Sequence, residues 1–318
     1  MVIGMAQAFP IGTIALPATD GTPLGERALY LTQPAIMFNV ESPASRVSLR
    51  TTLNFEGITQ PDGELTFGGW GEGFIDKRHP HTLVHEAMLS VNVWARDGGG
   101  FSLSAGKGFA PYGTDDPMSR PAVKYPTNHH LSQILERFTL NGVYSSPRFS
   151  AEVGVFGGNE PTTPYDFSNA ESFANSWSTR LAARFGAPAK GVFPWELSGS
   201  YGYVVEEHDD EESATHLYNA ALRHEHEHSF GRVYYMAEAS PGDLEHWTDL
   251  WSLLGEASLF RGGHNRYGRI EYATRPEYER EGAAGSDGFF RYHHDDEPIG
   301  STRWLIASVG YGYSASAL

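Results

Sequence analysis

The chain has no cysteine among its 318 residues. That excludes a disulfide framework, an iron–sulfur cluster and a thiolate zinc site. No window of 18 residues is continuously apolar, so no helix of the transmembrane type is encoded. Basic residues are few, with 23 Lys and Arg against 39 Asp and Glu and a net charge of −16. A nucleic-acid partner needs a basic footprint, and this balance excludes one. Lys and Arg are absent before Arg27, and Pro10 interrupts the one apolar run ahead of it, so the first residues do not read as a secretory signal. No 20–50-residue repeat of the solenoid kind is present.

What is present favours β-structure. Glycine is abundant at 36 residues and aromatics make up 13%, a composition that suits strands better than helices. Many segments alternate with a period of two. In the segment 46–56, Val47, Leu49, Thr51, Leu53 and Phe55 share one face, against Ser48, Arg50, Thr52, Asn54 and Glu56. Val153 and Val155 oppose Glu152, Leu197 and Tyr201 oppose Glu196, and Val309 and Tyr311 oppose Ser308. Such alternation over about ten residues is a strand with two unlike faces.

Fourteen strands are predicted, over residues 2–9, 28–40, 46–59, 83–96, 100–107, 132–145, 148–157, 176–186, 193–206, 214–228, 231–240, 249–261, 264–275 and 302–314. Connections that are short and turn-like, such as Asp97–Gly99, Ser146–Pro147 and Gly262–Gly263, alternate with long or very polar ones. The latter are Pro10–Arg27, Gln60–Thr82, Gly108–Leu131, Gly158–Asn175, Glu207–Ser213, Pro241–Thr248 and Pro276–Ser301. An up-and-down barrel collects its short turns on one rim and its long loops on the other, as outer-membrane barrels do. The expected fold is therefore all-β, a single-domain antiparallel up-and-down transmembrane β-barrel of about 14 strands. A soluble sandwich would carry more Val, Ile and Leu on its core face.

The polar face is then the lumen. The expected pore-lining residues are Arg50, Glu56, Glu152 and Glu196, followed by Glu206, Arg223, Arg269 and Glu271, with Glu225 beside them. A packed apolar core would not tolerate these groups, so they imply water inside.

Candidate metal ligands concentrate at loop ends. His79, His81, His85 and Glu86 fall within Arg78-His-Pro-His-Thr-Leu-Val-His-Glu86, and His129 and His130 follow in the next long loop. Neutral imidazoles with a carboxylate suit Zn, Cu or Ni. The competing reading is a rigid turn with its imidazoles bonded to carbonyls. His208-Asp-Asp-Glu-Glu212 and His293-His-Asp-Asp-Glu297 read as solvated acidic loop faces. His224, His226 and His228 alternate with Glu225 and Glu227, which fits either a metal-binding ribbon or residues at a membrane interface, the latter preferred. His79-x-His81 also resembles the paired metal histidines of amidohydrolase-type enzymes, but no helices alternate with strands as that (β/α)₈ fold requires. No catalytic residue is assigned.

Four runs resemble a family of porin-like bacterial outer-membrane proteins: Trp70 to Glu86, Ala105 to Met118, Asn128 to Arg137 and Phe156 to Pro161. The resemblance is densest from Leu29 to Phe185. It implies a β-barrel in the outer membrane and carries no particular activity with it. The chain departs from the usual pattern of such barrels by ending Ser-Ala-Leu318 rather than on an aromatic residue. The expected function is an outer-membrane channel or uptake protein for small, cationic solutes, with outer-membrane lipid and small solutes or cations as partners. The alternatives are a non-conducting surface protein that binds metal and a metal-dependent hydrolase. The sequence specifies no oligomeric state.

Overall fold

The computed structural model describes residues 1–14, 27–44, 46–59, 82–96, 98–114, 129–161, 165, 170, 172–188, 192–208, 211–244, 250–277 and 300–314. Fourteen strands form one sheet in which every strand pairs antiparallel with its neighbours in sequence. They are β1 (Val2–Ile14), β2 (Arg27–Glu41), β3 (Val47–Asn54), β4 (Val84–Arg96), β5 (Gly99–Gly108), β6 (Arg137–Ser145), β7 (Phe149–Phe156), β8 (Ser176–Phe185), β9 (Trp195–His208), β10 (Glu211–His228), β11 (Gly231–Leu244), β12 (Leu250–Arg261), β13 (His264–Glu277) and β14 (Gly300–Tyr313). Among the described residues no ladder joins β1 to β14.

The turns on one rim are set by local chemistry. Gly262 and Gly263 both take positive φ, +56° and +82°. A two-residue hairpin whose twist matches its strands needs that conformation twice, and glycine adopts it without steric cost. At the other end of the ladder Met1 donates to the Glu41 carbonyl, and Tyr313 pairs with His264. Both described ends of the chain therefore lie on the short-turn rim.

Three expectations are corrected. The strand predicted over 46–59 stops at Asn54, because Glu56 opens a single-turn helix, α1 (Glu56–Thr59). The strand predicted from 132 begins at Arg137, and His129–Ser132 form a second single turn, α2. The connection expected at Glu207–Ser213 is largely strand, with His208 still paired to Glu211. Polar residues there extend the hairpin past the membrane, where no apolar face is required. The all-antiparallel order also excludes the βα alternation of a (β/α)₈ hydrolase.

The two faces are inverted relative to a soluble protein. Leu49, Val153, Leu197 and Val309 are exposed on the outside, with Val309 at 89%. Ser178, Asn219, Ser240, Glu256 and Arg269 are buried on the inside. A soluble monomer rarely exposes a contiguous apolar patch larger than a few hundred Å². Here the exposed apolar side chains recur on strand after strand, which is the surface that lipid covers.

Aromatic side chains border this band. On the short-turn rim, Trp94 neighbours Tyr144, Tyr144 neighbours Phe149, and Phe185 stacks on Trp195. Toward the other rim, Trp177, Tyr201 and Tyr218 pack together. Trp177 and Phe185 bound β8, roughly 26 Å apart at ~3.3 Å per residue along the strand. With the ~35–45° tilt of outer-membrane barrel strands this spans roughly 20 Å of membrane, somewhat less than the apolar band of such barrels.

Candidate functional site: a lumen divided by an inward segment

The connection between β5 and β6 enters the lumen at both of its described ends. Residues 109–114 leave β5 and residues 129–136 lead back to β6. Gly113, at φ +67°, lies so close to the Ser132 carbonyl that a Cβ there would fall 1.8 Å from its oxygen. Glycine is thus required where the two ends cross. Side chains of the wall hold this crossing: Arg180 Nε donates to the Gly113 carbonyl at 2.9 Å, Gly113 N–H donates to Ser200 Oγ at 2.8 Å, and Thr114 Oγ1 donates to Glu238 at 3.1 Å.

One face of the segment is apolar and is packed against the wall. Tyr112, Leu131 and Ile134 meet Phe156 of β7, Val204 of β9, Leu217 of β10 and Leu250 of β12. Burial pushes the Tyr112 phenol well above its ordinary range, and the Glu238 carboxylate pushes it the same way. The phenol therefore stays protonated and donates to the Leu131 carbonyl at 2.9 Å.

The other face borders a cavity of about 530 Å³, open toward the wall of β1 to β8. Arg50, His85, Glu86, Glu152 and Arg180 line it, with Met37 and Phe109. His85 and Glu86 are consecutive yet both lie inside. The β3–β4 register shifts between Thr52, paired with Glu86, and Leu53, paired with Val84, so His85 is the extra residue of a β-bulge. A bulge places two successive side chains on one face.

A buried polar hub secures the segment at its base. Glu136, itself at φ +57°, accepts from Thr82 N–H at 3.0 Å, from Thr82 Oγ1 at 3.1 Å and from His85 Nδ1. Lys107 Nζ donates to Thr82 Oγ1 at 2.8 Å. All four side chains are buried, Lys107 to 2% exposure. A non-glycine residue held left-handed in this way is costly, and the surrounding hydrogen bonds keep it there.

Charged groups form a chain around the inner wall. Glu152 of β7 binds Arg180 of β8 at 2.8 Å, and Arg180 reaches Glu196 of β9 at 3.4 Å. Glu196 also receives Arg184 at 2.8 Å and Arg223 of β10 at 3.2 Å. Farther round, Arg269 binds Glu256 at 2.7 Å and approaches Glu271 at 3.9 Å, and Tyr234 donates to Glu256. Arg50 meets Glu86 at 3.5 Å, with its own side chain 68% exposed.

Of the residues expected to line the pore, Arg50, Glu152, Glu196 and Arg223 lie on the inner face, as do Arg269 and Glu271, whose side chains are buried against Glu256. Glu206 lies near the long-loop rim, 3.8 Å from Arg137. Glu56 is a correction: it sits in α1, buried, accepting the Gln33 amide at 2.8 Å, and so braces a left-handed kink in β2 instead of facing water. Glu225 is on the short-turn hairpin, paired with Arg232 at 3.0 Å. Arg180, Arg184, Glu238 and Glu256 were missed. Arg180 and Arg184 share parity with Ser176 and Ser178, so the alternation of β8 already contained them.

Of the expected metal ligands, His79 and His81 lie outside the described residues, as do the side chains of His129 and His130. His85 and Glu86 do face one cavity. Among the described residues, no three of His, Asp and Glu converge on a point where one metal ion could bind.

An up-and-down sheet that is apolar outside, polar and charged within, and bordered by aromatics is a transmembrane β-barrel. Its solved structural neighbours are bacterial outer-membrane proteins. An anion-selective porin from Comamonas acidovorans is similar over 98% of this chain and 99% of its own, at 10% identity and a TM-score of 0.46. OmpT of Vibrio cholerae is similar over 98% and 95%, at 10% identity and 0.40, and Salmonella typhi OmpF over 98% and 97%, at 12% identity and 0.38. No family model and no curated protein matches the sequence.

Proposed function

We propose that the protein is a porin-like channel or uptake protein of the bacterial outer membrane, passing small solutes through the half of the lumen bounded by β1 to β8. The observation that carries this reading is the cavity of about 530 Å³ between the inward segment and that wall, lined by Arg50, Glu86, Glu152 and Arg180 among apolar side chains. Transport would be passive. Arg50, Glu86, Glu152 and Arg180 would replace part of a solute's hydration, without a site deep enough to retain it. The net charge of −16 would concentrate cations at the mouth and bias the pore toward them.

Planar-bilayer recording of the refolded protein tests this. Unitary conductance steps, with a reversal potential in a KCl gradient that favours K⁺, are expected. Steps that favour Cl⁻ would keep the channel and remove the cation preference. Stable insertion without conductance would favour a surface-binding barrel, a second reading for which the apolar packing of Leu131 and Ile134 across part of the lumen speaks.

A further inference from the structure

Away from the lumen, β10 carries His224, His226 and His228 at alternate positions. Alternate side chains of a strand share one face. His224 belongs to the aromatic girdle, with its ring 4.4 Å from Trp195 and stacked at 4.6 Å on Tyr235. Its Nδ1 is buried without a hydrogen-bond partner. β9 begins at Trp195, opposite His224, and past it the Glu225 N–H still donates to the Pro194 carbonyl at 2.9 Å while β10 continues along β11 to His228. His226 and His228 therefore stand past the girdle on the short-turn hairpin, where water reaches them.

Their ring centroids are 4.9 Å apart, with planes at 78°. A metal–imidazole bond of ~2.0–2.1 Å puts a ring centroid ~3.2 Å from the ion. Two imidazoles bound at about 90–110° then have centroids ~4.5–5.2 Å apart. The observed spacing falls in that range. His228 is held by stacking on Phe230 at 5.0 Å, and His224 stands 6.2 Å from His226. The cationic neighbour Arg232 is occupied on the opposite side by Glu225 and by the Phe260 ring. Glu227 is exposed on β10 itself, and Arg261 is exposed on the adjoining hairpin.

We propose that His226 and His228 form a two-imidazole capture site for a divalent transition metal. The order of divalent affinities places Cu(II) above Ni(II) and Zn(II) at such a site. Two donors, with water completing the shell, make an exchangeable site rather than a structural one. It stands on the periplasm-type rim and is independent of the channel reading.

The test is Cu(II) titration of the refolded protein in detergent, followed by electron paramagnetic resonance and calorimetry. One equivalent should bind with nitrogen hyperfine structure from two imidazoles. The double variant His226→Ala/His228→Ala should lose that equivalent or hold it at least tenfold more weakly. The single variant His228→Asn, milder for folding, should reduce the signal to one imidazole. His264→Ala, on the neighbouring hairpin, should leave it intact. Unchanged Cu(II) binding in a folded double variant, or a parent spectrum without two imidazole nitrogens, would overturn the proposal.

Discussion

On the side of β1 to β8 the wall presents Arg50, Glu86, Glu152 and Arg180 to open space. Toward β9, β10 and β12, Val204, Leu217 and Leu250 close on Leu131 and Ile134 of the same inward segment. One segment thus separates two kinds of interior. Where its neighbours are apolar, burial removes water and fixes the segment. Where they include Arg50, Glu152 and Arg180, close packing would cost desolvation, and a cavity remains instead. A barrel of fourteen strands is too wide for its wall residues alone to fill. Among the described residues, the apolar cluster lets a short segment narrow that interior while a cavity of about 530 Å³ remains beside it.

The largest effect is expected at the closed side. Arg269→Met removes the cation between Glu256 and Glu271 in a site with no solvent exposure. It should cost about 3–5 kcal/mol, because buried carboxylates lose their counter-charge. Urea unfolding in detergent would read this, and the ion selectivity of the surviving channels should not change. Next, Leu217→Ala should cost about 2–4 kcal/mol through an unfilled cavity. It should also loosen the segment, raising open-channel noise. Glu136→Ala should cost about 1–3 kcal/mol by leaving the Thr82 amide and the His85 ring without their acceptor. The 129–136 end of the segment would be loosened while Arg180, Ser200 and Glu238 still hold the other, so less uniform conductance steps are expected. The smallest stability change belongs to the open side. Arg50→Ala removes the 68% exposed partner of the buried Glu86, 3.5 Å away, and should move stability by no more than ~1 kcal/mol, because water screens the guanidinium. Its reversal potential should nevertheless shift toward cations, since a lumen cation is lost. If Arg50→Ala proved as destabilising as Leu217→Ala, the contrast between the two halves would fail.

Much of this architecture was legible in the alternation of the chain. Period-two patterning places Leu197 outside and Glu196 inside without any tertiary information, and the order of fourteen strands follows from the turn residues between them. Patterning fails where the strand itself is irregular. The bulge at His85 brings His85 and Glu86 to one face, which a strict period of two assigns to opposite faces. Glu56 looked like a pore residue because it continues the parity of Arg50, but the strand ends two residues earlier and the carboxylate is spent on the Gln33 amide. The inward segment was invisible for a different reason. Leu131 and Ile134 have a hydrophobic partner only because β9, β10 and β12 carry Val204, Leu217 and Leu250 on their lumen side. That meeting depends on contacts between residues far apart in the chain. The alternation of the chain favours His224, His226 and His228 as interface residues. His224 fits that reading, while the other two extend beyond the girdle.

The absence of cysteine makes one measurement direct. Arg50→Cys and Leu217→Cys place a single thiol in the open and the closed half of the lumen. A charged, water-soluble thiol reagent added during bilayer recording should react with the first within seconds and reduce the conductance. It should leave the second unmodified while the channel stays open. Equal block at both positions, or reaction at Leu217→Cys alone, would contradict a passage confined to the side of β1 to β8.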